Sequence, residues 1–509
     1  MPLVLQHLLD DTRFAERLSQ EYLPEFLKRQ RWYTSKNKSI DQIALTALPG
    51  PSTSLGLWLL RINFSDDSNE LRPLAVAEVN RAFAPDDQRL ICRTDEGALI
   101  EAAAEEDFRK MLYEIMAGDK RFEGPLGTLE GVAGKVCRDY PAYAGSTFPP
   151  QNSSNTVIAY APAGFFKLFR KTEAGVHPDA ELLGYLSDQC HFESVPAFGG
   201  TIRYLDNDNK TPITLGLMLA HIDHRGEAWE AMLHDVSAYA KTVHNDKELE
   251  ALSISSDLAK PLRRADLPEN LTTAVGDSTL RRLELLGQRT AEMHIYFASA
   301  SEEGMAPKPL DASYWKGARE ALNQRVSQEI SYAAEALKPS LEKIMSWLEA
   351  AELPLLDQGC IRVHGDYHLG QVLDTSEDII IIDFEGEPLH SLEYRRSRHP
   401  AFKDIAGMVR SLHYAPYAYA LQEADGAKWA MAAARTWYHL AARLFLTAYF
   451  DRAKRAAYLP KADGERNALL AFFLTDKVLY ELAYERASRP AWIAIPRQGV
   501  EGVADMLGE

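Results

Sequence analysis

Cysteine is scarce: Cys92, Cys137, Cys190 and Cys360 are the four in 509 residues, with no CxxC pair and no metal-like spacing. That argues against a disulfide scaffold or a thiolate metal site, and a reduced, intracellular protein is the expectation. Long apolar runs are missing as well. NALLAFFL at 467–474 is about the longest, well short of the ~18 residues a spanning helix requires. The start, MPLVLQHLLDDTRF, has no basic segment and meets Asp10 and Asp11 at once, so no secretory leader is expected and a cytoplasmic location is. Positive charge is undersupplied: 56 Lys and Arg stand against 73 Asp and Glu, a net charge of −17. A sequence-independent grip on nucleic acid needs a basic surface, so neither nucleic acid nor membrane is an expected partner.

What is present is the composition of an ordinary globular protein, 46% hydrophobic and 25% charged, long enough for several compact units. Residues 1–30 read as helical and lead into RQRWYTSKNKS, a basic, aromatic turn. LGLWLLRINF (55–64) and LRPLAVAEV (71–79) are β-rich and separated by SDDSNE, which predicts a hairpin. An Ala- and Glu-rich helix is expected around 97–117. The proline-rich segment 139–155 reads as a loop, followed by strands TVIAYA and GFFKLF and a helix opened by Pro178. After the strand TLGLMLAHI the pattern turns helical, dividing a mixed first part from a mostly helical second part near residue 222.

One stretch breaks that helical pattern. IRVHGDYHLGQVLDTSEDIIIIDFEGEP (361–388) crowds His364, Asp366, His368, Gln371, Asp383, Glu385 and Glu387 between apolar runs. IRV, VLD and IIII read as strands, with DTSED as a turn between the last two. In such a hairpin Gln371 and Asp383 leave at the same mouth, with Asp366 on the loop leading in. A carboxylate and an amide carbonyl are hard ligands suited to Mg²⁺. Phosphoryl transfer needs little more than an aspartate to accept the proton of the attacking hydroxyl and a metal to offset charge. HGDYHLGQ stands where protein kinases have HRDxxxxN, and IDFEG where they have DFG. Glu385 and Glu387 read equally as solvated loop charges or as metal or sugar contacts.

Such a site also needs a lysine on a strand and a carboxylate on the next helix. GFFKLFRK offers Lys167, and HPDAELL offers Glu181. The alternative is a solvent-facing lysine and a carboxylate favoured by the helix dipole. No glycine-rich phosphate loop precedes the first of these strands. QNSSN stands there, either a polar turn or a set of hydroxyls and amides for phosphate.

Taken together, HGDYHLGQVL, IIDFEGEP, RQRWYTSKNK, NSSNTVIAY, FFKLFRK, RRSRHPAFKDIAGMVRSLHYA and DKVLYELAYERASRPAWIAIP resemble the bacterial maltokinases, within the aminoglycoside-phosphotransferase-like kinases. The likeness extends over nearly the whole chain. It implies an α+β, bilobal protein-kinase-like (aminoglycoside-phosphotransferase-like) fold. An N-terminal α/β cap subdomain would span 1–96, the N-lobe part with lysine strand and hinge 97–222, and the mostly helical C-lobe with catalytic and metal loops 223–509.

The resemblance implies ATP and Mg²⁺ as cofactors, Asp366 as catalytic base, and Gln371 and Asp383 as metal ligands. Lys167 would hold phosphates, with Glu181 orienting it and Ser154, Asn155 and Thr156 in the phosphate loop. The adenine would lie against Leu219, Ala220, His221 and Ile222. Asp404 resembles the buried aspartate that braces the catalytic loop, whereas His294 reads as a packed core histidine. Lys477, Tyr480, Glu481 and Tyr484 share one helical face at i, i+3, i+4 and i+7. With Glu385 they are the candidate sugar contacts, and a face docked on another helix is the equal alternative. Trp229 resembles a family position and reads equally as a packing residue.

The expected activity is phosphorylation of maltose at its anomeric hydroxyl, with trehalose synthase as a possible partner. SKNKS, where the family is glycine-rich, and the glutamate of HIDHRGEAWE depart from the family pattern and put the sugar in doubt more than the chemistry. An amino-sugar or aminoglycoside kinase of the same fold is the first alternative. A non-catalytic, nucleotide-binding scaffold for trehalose synthase is the second.

Overall fold

The computed structural model describes residues 3–151, 155–207, 211–252, 254–423 and 428–507. The chain divides into two compact units, Met1–Ile222 and Asp223–Glu509.

The first unit opens with short helices, Gln6–Asp10, Thr12–Arg17 and Leu23–Arg29. Asp11 starts the second of these because its carboxylate accepts the Arg13 and Phe14 N–H groups. A five-stranded antiparallel sheet comes next, ordered Ile40–Ala47, Leu55–Phe64, Asn69–Val79, Gly97–Glu101, Leu90–Thr94. Its central hairpin runs in register from Leu55↔Ala77 to Asn63↔Asn69, as the apolar runs on either side of SDDSNE predict. Trp58 is fully buried and donates its indole N–H to the Val4 carbonyl at 3.1 Å, which pins the helical start to the sheet.

The helix expected over 97–117 is a correction. Residues Gly97–Glu101 form a strand, and the helix runs only over Glu106–Ala117. Ala98, Leu99 and Ile100 are all buried, so pairing on both sides outweighs the helical preference of the neighbouring sequence. Gly97 is required there, since a Cβ would stand 2.2 Å from the Val79 carbonyl oxygen.

A second, seven-stranded antiparallel sheet is ordered Arg121–Glu123, Gly127–Ala133, Phe198–Asp206, Pro212–Ala220, Gly164–Leu168, Thr156–Tyr160, Ser146–Thr147. Strand Gly164–Leu168 alternates in burial. Phe166 and Leu168 enter the core, and Phe165 and Lys167 take the other face.

The second unit is built from long helices, among them Ala228–His244, Asp277–Ala298, Phe402–Gln422, Lys428–Ala453 and Asp463–Ser488. The predicted hairpin is present, Val372–Asp374 paired with Ile379–Ile381. IRV is not a strand: Ile361 makes only an isolated bridge to His399, after the strand Leu356–Cys360. A mixed unit followed by a largely helical one is the expected α+β class. No helix among the described residues is long and apolar enough to cross a membrane.

Candidate active site

The loop carrying Asp366 is held from beneath by one buried carboxylate. Asp404, in the first turn of helix Phe402–Gln422, is 1% exposed. It accepts the backbone N–H of His364 at 2.7 Å and of Gly365 at 2.9 Å. His294 Nε2 is 3.0 Å away and its Nδ1 is 2.8 Å from the Tyr449 hydroxyl. Burial pushes the Asp404 pKa up. The His294 hydrogen bond, the charges of His294 and His364 and the Gly365 N–H outweigh it and leave the pKa below the ordinary value. The ionised carboxylate can only accept, so His294 donates to it from Nε2. His294, read as a core histidine, is both buried and part of this support. Gly365 has φ +87°, where a side chain is strained.

His364 joins this loop to the next one. Its Nε2 lies 2.9 Å from the Ile382 carbonyl, and its ring packs against Phe384 at 4.7 Å and Tyr367 at 5.2 Å. His368 accepts the Gly370 N–H on Nδ1 at 3.1 Å, which shapes the single turn before Gln371. Burial holds the His368 pKa below that of a free imidazole.

Gln371 and Asp383 leave the hairpin at the same end. Val372 pairs with Ile381, and the Ile382 N–H donates to the Gln371 carbonyl at 3.0 Å. Asp383 adopts φ +69°, an uncommon conformation that aspartate tolerates better than most residues. The far end of the hairpin is fastened to helix Asp277–Ala298. Arg289 grips Asp378 through Nε at 2.9 Å and Nη2 at 2.7 Å, and Arg282 Nη2 reaches Asp374 at 2.8 Å. The donor set, one carboxylate and one amide carbonyl from a fixed mouth, fits Mg²⁺.

The candidate face of helix Asp463–Ser488 divides. Lys477 Nζ is 2.8 Å from Glu387 and 3.6 Å from Asp366, and it lies 5.0 Å from the centre of the Tyr480 ring. Burial pulls the Lys477 pKa down, but the Glu387 and Asp366 carboxylates overcome it and raise it above the usual lysine value. Tyr480 and Tyr484 lie nearly parallel, 16° apart with centroids at 6.3 Å, and Tyr484 is 45% exposed.

Glu481 does not share that face's exposure, and here the sugar-contact reading is corrected. It is 8% exposed and accepts Arg410 Nε at 2.9 Å and Nη2 at 2.6 Å, an internal ion pair that secures one helix to another. Glu385 is partly buried, with its carbonyl accepting from Arg395 at 3.1 Å. Glu387 is no solvated loop charge, since it meets Lys477 and, at 3.1 Å, His390.

In the first unit, Lys167 Nζ is 3.4 Å from Asp179, a fully buried carboxylate at the start of helix Pro178–Leu183. Glu181 lies two positions along the same helix and is partly buried. HPDAELL contains both acids, and only burial distinguishes them, so the sequence pattern gives no reason to choose Asp179. Thr156 is another correction. It is 2% exposed, and its hydroxyl accepts from Arg170 Nε at 2.5 Å, so it serves the core. The same Arg170 lies 4.5 Å from the Trp32 ring centre and 3.0 Å from Glu101, anchoring the basic, aromatic turn. Asn155 Oδ1 accepts the Arg170 backbone N–H at 3.2 Å, and Ser154 lies outside the described residues. Leu219 and Ala220 end a central strand, with the Ala220 N–H bonded to Ala197 at 3.0 Å, and the His221 ring lies 5.4 Å from that of Phe165. Ile222 is partly buried.

No family model matches this chain. A glucosamine kinase from Streptacidiphilus jiangxiensis is 30% identical over 226 residues, 43% of this chain and 48% of the relative. A glucosamine kinase from Mycolicibacterium smegmatis is 29% identical over 224 residues, 43% of this chain and 53% of the relative. The chain thus spans about half the length of the curated relatives it matches. A solved glucosamine kinase in complex with glucosamine, ADP and inorganic phosphate matches at TM-score 0.61 and 19% identity, covering 90% of this chain and 94% of that one. Another crystal form of glucosamine kinase matches at TM-score 0.64 and 18% identity, covering 94% and 97%. At such identities the likeness is one of fold, and this chain shares the fold of those kinases.

Proposed function

We propose that this protein is a sugar kinase that transfers the γ-phosphoryl group of ATP to a sugar hydroxyl with Mg²⁺. The observation that carries the reading is the Asp366 loop, fixed by Asp404 and tied through His364 to the turn that presents Asp383. Asp366 aligns the acceptor hydroxyl and takes its proton as the oxygen attacks phosphorus. Gln371 and Asp383 hold the metal, which offsets negative charge on the phosphoryl group when bound. Lys167, kept in place by Asp179, holds nucleotide phosphates.

For the acceptor we favour an amino sugar of the glucosamine class. The support is the match to two glucosamine kinases. Maltose is the second reading. The parallel Tyr480 and Tyr484 rings favour it, because they offer a stacking surface longer than one sugar.

The test is ADP release from Mg·ATP with glucosamine, maltose, glucose, trehalose and an aminoglycoside, for the natural chain and Asp366→Asn. Sugar-dependent turnover that falls by about 10²–10⁴-fold in the variant is the expected result. Tight nucleotide binding with no turnover on any acceptor would replace the kinase by a nucleotide-binding scaffold.

A further inference from the structure

The side chains of Lys477 and Asp366 are 22% and 27% exposed, so a ligand can reach both. Glu387, 11% exposed, fixes the ammonium: its Oε1 accepts from Lys477 Nζ at 2.8 Å, and its Oε2 lies 3.1 Å from His390 Nε2. Burial works against the Lys477 charge, but the Glu387 and Asp366 carboxylates more than offset it, so the lysine is charged near neutral pH. An ammonium carries three N–H donors and no acceptor. Glu387 is the hydrogen-bond partner of Lys477 among the described residues, since Asp366 at 3.6 Å is beyond hydrogen-bonding reach. Donors of a fixed cation are thus left unspent beside the proposed base.

Those donors restrict what the acceptor can carry next to its reacting hydroxyl. The inference rests on the reading of Asp366 as the base, which the reacting hydroxyl meets. A second hydroxyl on the adjoining carbon has lone pairs for the unspent N–H groups of Lys477. An ammonium in that place has none, and it sets a like charge against the lysine. Like charges brought together suppress the wrong partner strongly, and a repulsive element of this kind is an effective source of specificity. We propose that Lys477 determines specificity at the transfer site by requiring an oxygen, and rejecting an ammonium, beside the reacting hydroxyl. Glucose meets that requirement with its neighbouring oxygens. A glucosamine-class acceptor meets it only when the phosphoryl group goes to a hydroxyl away from the amine.

The test is ADP release from Mg·ATP by the full chain with glucose and its singly amino-substituted analogues. Phosphorus–proton coupling in the product of glucose locates the reacting hydroxyl. Among analogues that keep that hydroxyl, the one whose amine lies nearest should show a kcat/KM roughly a hundredfold below that of glucose. The one whose amine lies farthest should stay close to glucose. Raising the pH through the titration of the sugar's amine should erase the penalty, because the neutral amine gains a lone pair for Lys477. Lys477→Gln should recover at least about tenfold of the penalty relative to glucose, whereas a merely structural lysine would lower every sugar in proportion. A nearest-amine analogue that matches or exceeds glucose overturns the proposal, as does the same penalty in Lys477→Gln. The pH series uses the natural chain, so it decides even if the variant fails to fold: a penalty that persists once the amine is neutral overturns the assignment. No ADP release with any sugar would instead remove the kinase reading, and this assignment with it.

Discussion

Lys477 Nζ lies 3.6 Å from Asp366 Oδ1, which places a cation of helix Asp463–Ser488 beside the proposed base. The same nitrogen is 2.8 Å from Glu387, so one lysine gathers two carboxylates that would otherwise repel each other. That arrangement sets the charge beside Asp366.

Lys477→Met should lower kcat/KM for the sugar by roughly tenfold to a hundredfold, tenfold corresponding to about 1.4 kcal/mol. Adding Glu387→Gln should recover part of the loss, because the unpaired carboxylate goes with it. Steady-state kinetics on the four members of that cycle decide the matter. Unchanged kcat/KM in Lys477→Met would remove the lysine from the site.

Glu481 should behave as a structural residue. Arg410→Met leaves a buried carboxylate without its partner and should cost about 3–5 kcal/mol in urea unfolding. Glu481→Gln should lower stability while leaving the KM for sugar nearly unchanged. A large rise in KM at native stability would return Glu481 to the sugar site.

Asp404→Ala strips the acceptor from two backbone N–H groups and from His294 at once. We expect about 3–5 kcal/mol of lost stability, the range for removing one partner of a buried charged pair. Sugar-dependent ADP release should fall as well, since the Asp366 loop loses its support. Native turnover in a folded Asp404→Ala protein would show that the loop holds itself.

Stability should decline on mild acidification. Burial is the main cause that brings the His399 pKa to about 3, and it also holds His413 well below its usual value. An unfolded histidine takes up its proton near pH 6.5, so between that pH and the folded values only the unfolded chain binds it. Each contribution is intact above about pH 6.5 and is lost as pH falls below it, at about 1.4 kcal/mol per pH unit for each histidine. Asp404, whose pKa is also depressed, loses its contribution only further down, below about pH 4. Urea midpoints across this range would show the fall. A midpoint that stays flat down to about pH 5 would mean these rings are not held neutral.

Local order along the chain is enough for much of the site. Apolar runs around a polar turn specify the hairpin, and the hairpin alone brings Gln371 and Asp383 to one mouth. The alternation in GFFKLF is enough to place Lys167 opposite Phe166, whereas Asp404 is nominated only by the resemblance that KDIAGM carries. Strand Gly97–Glu101 reads as helix in the sequence because its apolar residues become strand-like only when two neighbours pair with them. Tertiary structure alone decided which carboxylates meet which cations. Asp179, which the sequence pattern did not single out, meets Lys167, Glu481 turns inward to Arg410, and Glu387 joins Lys477. The reason is physical: periodicity says which face of a helix a charge occupies, but desolvation and the partner opposite decide whether that charge is a contact for substrate or a brace for the fold.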